Sequence, residues 1–144
     1  MKGGVVSITK DELLAKLNKD LEWEYAACIQ YVQHASVISG AQYEGIQKEL
    51  LVHAAEEMQH AVTLAEQIDY LGGTPSINVE KTETATDSVT LLQQDLKGER
   101  QAINAYKERI AEAESLREYG LRRALEDILI QEEEHERDVK SALE

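Results

Sequence analysis

The sequence predicts an all-α protein folded as an antiparallel four-helix bundle, with one long crossover between helices 2 and 3. Three observations lead there. The 144 residues include one Pro and eight Gly, with 30% charged residues set against long apolar periodicities, a composition of helices rather than sheets. Four stretches carry apolar residues at alternating steps of three and four, the seam that a helix turns toward its neighbours. The chain also repeats itself: Glu24 precedes Glu57 by 33 residues, and Glu99 precedes Glu132 by 33 residues. Residues 1–144 are read as a single domain, long enough to close a sizeable core.

Thr9-Lys10-Asp11-Glu12 has the form of a capping box and marks the start of helix 1. Its seam reads Leu17, Leu21, Glu24, Cys28, Tyr31, Ala35 and Ile38. Ser39-Gly40 breaks the pattern, and helix 2 follows with Ile46, Leu50, Glu57, Leu64, Ile68 and Leu71. Gly72-Gly73-Thr74-Pro75 is a C-terminal stop. Residues 73–86, rich in Thr, Ser and Glu without a long apolar period, form the extended crossover. Asp87 or Thr86 caps helix 3, whose seam is Leu92, Leu96, Glu99, Ile103, Tyr106, Ile110 and Ala113. A break at 116–120 leads into helix 4, with Leu121, Leu125, Ile128, Glu132, His135, Val139 and Ala142.

Six polar residues interrupt these seams. Glu57 with His60, and Glu132 with His135, stand three apart and so share one helix face. Glu24 and Glu99 lie on the seams of helices 1 and 3, each followed seven residues later by a tyrosine, Tyr31 and Tyr106. Glu24 lies 16 residues before Gly40 and Glu57 lies 17 after it, which places both roughly 25 Å from the turn at a helical rise of about 1.5 Å per residue. The second half is placed alike about its own turn, so all six fall in one layer. Unpaired buried charges cost several kcal/mol. The four carboxylates carry a formal charge that two divalent cations neutralise, and imidazole with carboxylate suits iron, manganese or zinc. The plainer reading of one Glu-x-x-His is a solvated helix face; two such pairs with matched seam glutamates favour metal.

The composition excludes other classes. A net charge of −13 repels phosphates and disfavours nucleic acid; acidic surfaces otherwise serve solubility. There is no signal-type opening and no apolar run of membrane length, so no membrane is expected and the location is read as cytoplasmic. Cys28 stands alone, which removes an internal disulfide and any CxxC module.

The arrangement resembles the ferritin-like di-iron carboxylate superfamily, from Leu17 to Leu143, and within it is most similar to bacterioferritin. The residues that carry this are Asn18 to Gln30-Tyr31, Glu57-Met58-Gln59-His60-Ala61, Glu99 and Glu132-Glu133-Glu134-His135. The resemblance implies a ferroxidase and iron-storage protein that holds two irons per chain and oxidises Fe(II) with O2 or H2O2. It implies that Glu57 and Glu132 bridge the irons, Glu24 with His60 completing one and Glu99 with His135 the other. Tyr31 and Tyr106 are then donors to the seam carboxylates, or otherwise core aromatics, with Tyr31 a candidate electron source. Bacterioferritins carry a fifth helix, whereas this sequence stops at Glu144, so a 24-subunit cage is not expected. Rubrerythrins carry an extra Glu where Ala102 stands here. The rivals are a di-iron or di-manganese oxidase, peroxidase or catalase without a mineral, and a metal-free structural bundle.

Met58 occupies the position of the haem-binding methionine of bacterioferritin, which implies a site for haem b. It also belongs to a second apolar stripe of helix 2, Leu51, Ala55, Met58, Val62 and Ala65, which its own bundle cannot bury. That stripe predicts a homo-oligomer through helix 2, with or without haem. His34 and His53 are read as surface or interface residues, Cys28 as a small buried hydrophobe, and Glu56, Glu133 and Glu134 as solvated.

Overall fold

The computed structural model describes residues 6–144. Four long helices make up the fold: α1 (Lys10–Val37), α2 (Glu44–Tyr70), α3 (Ser88–Ser115) and α4 (Tyr119–Leu143). α1 and α2 form one antiparallel hairpin and α3 and α4 another. α1 also lies against α3, and α2 against α4, so the order around the bundle is α1, α2, α4, α3.

Local chemistry sets the ends. Thr9 and Glu12 form a reciprocal capping box at α1, and Asp87 caps α3 by accepting from the Thr90 N–H. α2 ends where Gly72 turns left-handed at φ 94°, its N–H donating to Asp69 O while Gly73 N–H reaches Ile68 O. This double bond satisfies carbonyls that the helix end leaves open. The α3–α4 turn repeats the motif with a surprise. The left-handed residue is Arg117, at φ 61°, and Glu118 N–H donates to Ala113 O. Gly120, expected in this break, lies within α4.

The core falls into two apolar clusters on either side of a polar layer. One holds Leu13, Leu17, Leu21, Leu64, Ile68 and Leu125 among others; the second holds Ala35, Leu50, Leu91, Leu92 and Val139. Each buried leucine contributes about 1.5–3 kcal/mol, and the clusters clamp the layer between them. The predicted crossover is extended but tied down. Asn18 accepts from Ser76 N–H and donates to Thr74 O, Gln30 accepts from Glu83 N–H, and His34 Nε2 donates to Glu83 O.

α1 and α3 are cross-linked by buried polar rungs. Arg109 donates from Nε and Nη to the Asp20 carboxylate at 2.7 and 3.2 Å, and to Glu112 at 2.6 Å. Burial pushes Asp20 up to about 6, opposed by the Arg109 guanidinium. Removing one member of such a pair leaves a buried charge alone. Arg109→Leu is therefore expected to lower the unfolding free energy by about 3–5 kcal/mol, with Asp20→Leu in the same chain recovering most of it. Urea unfolding checks this; a loss below about 1 kcal/mol would contradict the pairing.

Candidate metal centre

All six seam residues singled out in the sequence meet in the polar layer, each of them buried. They arrange as two groups. Glu24, Glu57, His60 and Glu132 offer ligand atoms within 4.8 Å of one another, and so do Glu57, Glu99, Glu132 and His135. Glu57 and Glu132 belong to both.

The imidazoles define the two halves. His60 Nδ1 lies 3.0 Å from Glu57, 3.4 Å from Glu24 and 3.7 Å from Glu132. His135 Nδ1 lies 3.3 Å from Glu132, 3.3 Å from Glu99 and 3.8 Å from Glu57. These approaches are close but not aligned as hydrogen bonds: Oε1 of all four glutamates and Nδ1 of both histidines are buried without a partner. Buried polar atoms are normally paired. Six orphans converging on two points fit a pair of cations, and they fit little else.

The other face of each ligand is held from outside. Tyr31 donates to Glu99 Oε2 and Tyr106 to Glu24 Oε2, so each half of the repeat steadies the other's glutamate. His60 Nε2 bonds to Gln131 Oε1 at 2.5 Å and His135 Nε2 to Glu56 Oε1 at 2.7 Å. An acceptor at Nε2 places the ring proton there and leaves the Nδ1 lone pair facing inward, the tautomer a metal needs.

Further residues complete the scaffold. Asp95, four before Glu99, is bonded by His34 Nδ1 at 3.0 Å and by Gln30 Nε2 at 3.0 Å. Asp20, four before Glu24, takes Arg109. The 75-residue repeat that relates Glu24 to Glu99 thus also relates Asp20 to Asp95 and His34 to Arg109, a signal that the ligand pattern alone did not reveal. His34 and His53, expected at the surface or an interface, are both 0% exposed within the chain. The correction has one cause: each faces a neighbouring helix off the seam, His34 toward Asp95 of α3 and His53 toward Asp138 of α4. Glu56, expected in solvent, is partly buried on His135. Cys28 is only half-buried. Glu133 is half-buried and Glu134 is exposed.

A cavity of about 260 Å³ opens between α1, α3 and the crossover and reaches Glu24, Glu57, Glu99 and Glu132. Small residues on its walls, Ala26, Ala27, Gly98, Ala102 and Ala105, leave this passage.

Residues 14–144 match the family model of the ferritin-like domain. The chain belongs to the ferritin-like family. Among solved structures, it is similar to a ferritin-like di-iron carboxylate protein from Bacillus anthracis str. Ames, at TM-score 0.90 and 31% identity, covering 96% of this chain and 100% of that one. It is also similar to a dodecameric thioferritin, the bacterioferritin-related protein of Bacteroides fragilis, at TM-score 0.88 and 34% identity over 94% of this chain and 86% of that one. Among curated proteins, a bacterioferritin of Brucella melitensis is 29% identical over 86% of this chain and 78% of its own length. A nutrient stress-induced DNA-binding protein of Nostoc is 29% identical over 76% of this chain, which spans 65% of that protein. This ferritin-like chain therefore carries a buried Glu/His di-metal site on its family's fold. Among the described residues no helix is long and apolar enough to cross a membrane.

The site's protons follow from its charges. Burial works against the cationic imidazole, yet Glu24 and Glu132 raise His60 to about 9, while Glu132 and Glu99 raise His135 to about 10. Burial, reinforced by neighbouring carboxylates, holds Glu57 and Glu132 well above the usual carboxylate range. Without metal at pH 7 the layer is thus partly protonated, and cations must displace those protons. Zinc added to metal-depleted protein in weak buffer should release the His60 and His135 protons, and affinity should rise with pH up to about 10. No proton release at pH 7 would contradict this charge state.

Proposed function

We propose that the chain is a bacterioferritin-like di-iron ferroxidase and iron-storage protein, which oxidises Fe(II) to Fe(III) with O2 or H2O2. The observation that carries this reading is the shared membership of Glu57 and Glu132 in two ligand groups whose inward atoms have no other partner. Glu57 and Glu132 are assigned as bridges, Glu24 with His60 as ligands of one iron and Glu99 with His135 as ligands of the other. The four carboxylate charges balance two Fe(II). Two Fe(II) held there would each give up one electron, and the pair of electrons with two protons would reduce peroxide to water or O2 to hydrogen peroxide.

The chain's own groups prepare that chemistry. Tyr31 and Tyr106 hold the outer oxygens of Glu99 and Glu24, keeping one oxygen of each directed inward. Gln131 and Glu56 fix the imidazoles. The α1–α3 cavity gives a small oxidant a path to Glu24, Glu57, Glu99 and Glu132. The cavity is also larger than O2 or peroxide requires, which favours as second reading an oxidase or peroxidase that deposits no mineral. Excess Fe(II) with oxygen separates them: storage takes up many irons per chain, and the second reading stops near two.

We also propose a homo-oligomer through α2. Leu51, Met58 and Val62 are 53%, 46% and 42% exposed, an apolar stripe on the outside of the bundle that self-association would bury. The Bacteroides fragilis relative is dodecameric; a monomeric native mass would exclude this interface. Met58 stands exposed on that stripe, and a haem b ligated there would give a Soret band that Met58→Leu removes. The net charge of −13 argues against carrying over the DNA binding named for the Nostoc relative.

The ligand roles predict a sharp kinetic result. Glu57→Ala and Glu132→Ala should each lower Fe(II) oxidation by at least about a hundredfold, since a bridge serves both ions. Full activity in either variant, measured by stopped-flow absorbance, would remove the assignment.

A further inference from the structure

A line of paired polar residues runs along the groove between α2 and α4. His60 meets Gln131, Glu56 meets His135, and His53 meets Asp138, the last at 3.1 Å from Nε2 to Oδ2. The first two rungs fix the histidines of the di-metal layer. The third bonds no residue of that layer, although the His53 ring stacks on His135. Glu49, one helical turn before His53, joins His53 and Asp138 in a group whose ligand atoms all lie within 4.8 Å.

We propose that Glu49, His53 and Asp138 form a third cation site, selective for a divalent transition metal such as Fe(II), Zn(II) or Co(II). The donor set is one imidazole and two carboxylates, which suits these ions over calcium or magnesium. Its formal charge with neutral imidazole is that of one divalent ion's counter-charge. Donors bound to one ion at about 2.0–2.2 Å stand about 3–3.5 Å apart, which the 3.1 Å from His53 Nε2 to Asp138 Oδ2 already meets, and Glu49 offers its oxygen within 4.8 Å of both. His53 is completely buried, and its Nδ1 has no hydrogen-bond partner. Among the described residues Asp138 is therefore the ring's only hydrogen-bond partner, and the ring itself is rigidly placed. It stacks on His135 with centroids 4.0 Å apart and meets the Tyr31 ring edge-on at 5.1 Å. Glu49 and Asp138 are partly solvent-accessible, which gives the ion an approach and leaves room for water in its remaining positions.

The site sits one ring stack outside the di-metal layer, on the α2–α4 side. The cavity opens on the α1–α3 side. The centre thus has a cation site on one face and a small-molecule passage on the other. Binding at the third site does not depend on the ferroxidase reading, since none of its three residues belongs to the six-residue layer.

Equilibrium dialysis of metal-depleted protein against Co(II) or Zn(II), with metal counted by mass spectrometry, tests the proposal. Wild type is expected to hold three ions per chain, and Glu49→Gln with Asp138→Asn is expected to hold one fewer. Both substitutions lie at accessible positions and conserve shape, so folding is retained. Glu57→Ala with Glu132→Ala should keep the third ion while losing the pair, so a failure of the di-metal assignment reads differently from a failure here. Crystals soaked in Zn(II) should show an anomalous peak between Glu49, His53 and Asp138. Equal metal content in wild type and the Glu49→Gln, Asp138→Asn variant, or no peak at that point, would overturn the proposal.

Discussion

Everything in this bundle depends on one oxygen from each of four carboxylates and two imidazole nitrogens, buried together without a hydrogen-bond partner among the described residues. Desolvating such a cluster costs several kcal/mol per charge unless opposite charge is supplied. The protein meets part of that cost with protons on His60 and His135 and on the carboxylates raised by burial. Two divalent cations would meet it fully. The apolar clusters on either side have a mechanical role in this view, since they hold four helices at a separation that the charged layer alone would push apart.

The layer is also held by exchange between the two halves of the chain. Tyr31 of α1 serves Glu99 of α3, and Tyr106 of α3 serves Glu24 of α1. One turn further out, His34 meets Asp95 and Arg109 meets Asp20. Each rung crosses between antiparallel helices, so the positions of Glu24 and Glu99 are set by the α1–α3 register rather than by either helix alone. The His34–Asp95 rung extends this to the crossover, because His34 Nε2 donates to Glu83 O. Fold and site therefore share the same bonds.

Much of this was legible in the sequence because a heptad seam records, along one helix, which residues face the core. Glu24, Glu57, Glu99 and Glu132 interrupt such seams at equal spacing, and the fold brings them together with His60 and His135. The helix ends at Thr9, Gly72 and Asp87 were readable from capping chemistry. What escaped were the relations between helices. His34, His53, Glu56 and Gln131 lie off the seams, and their roles come from partners on another helix, which no periodicity within a single helix encodes. Arg117 escaped for a local reason: an exposed arginine took the left-handed position that glycine usually fills.

The central claim is that the layer holds two metal ions between Glu57 and Glu132. Anomalous diffraction at the iron edge, on crystals grown with Fe(II) under exclusion of oxygen, tests it most directly. The account predicts two peaks about 3.5–4 Å apart, one beside His60 Nδ1 and one beside His135 Nδ1, with both bridging carboxylates between them. A single peak, or density from these glutamates directed away from the layer, would contradict it.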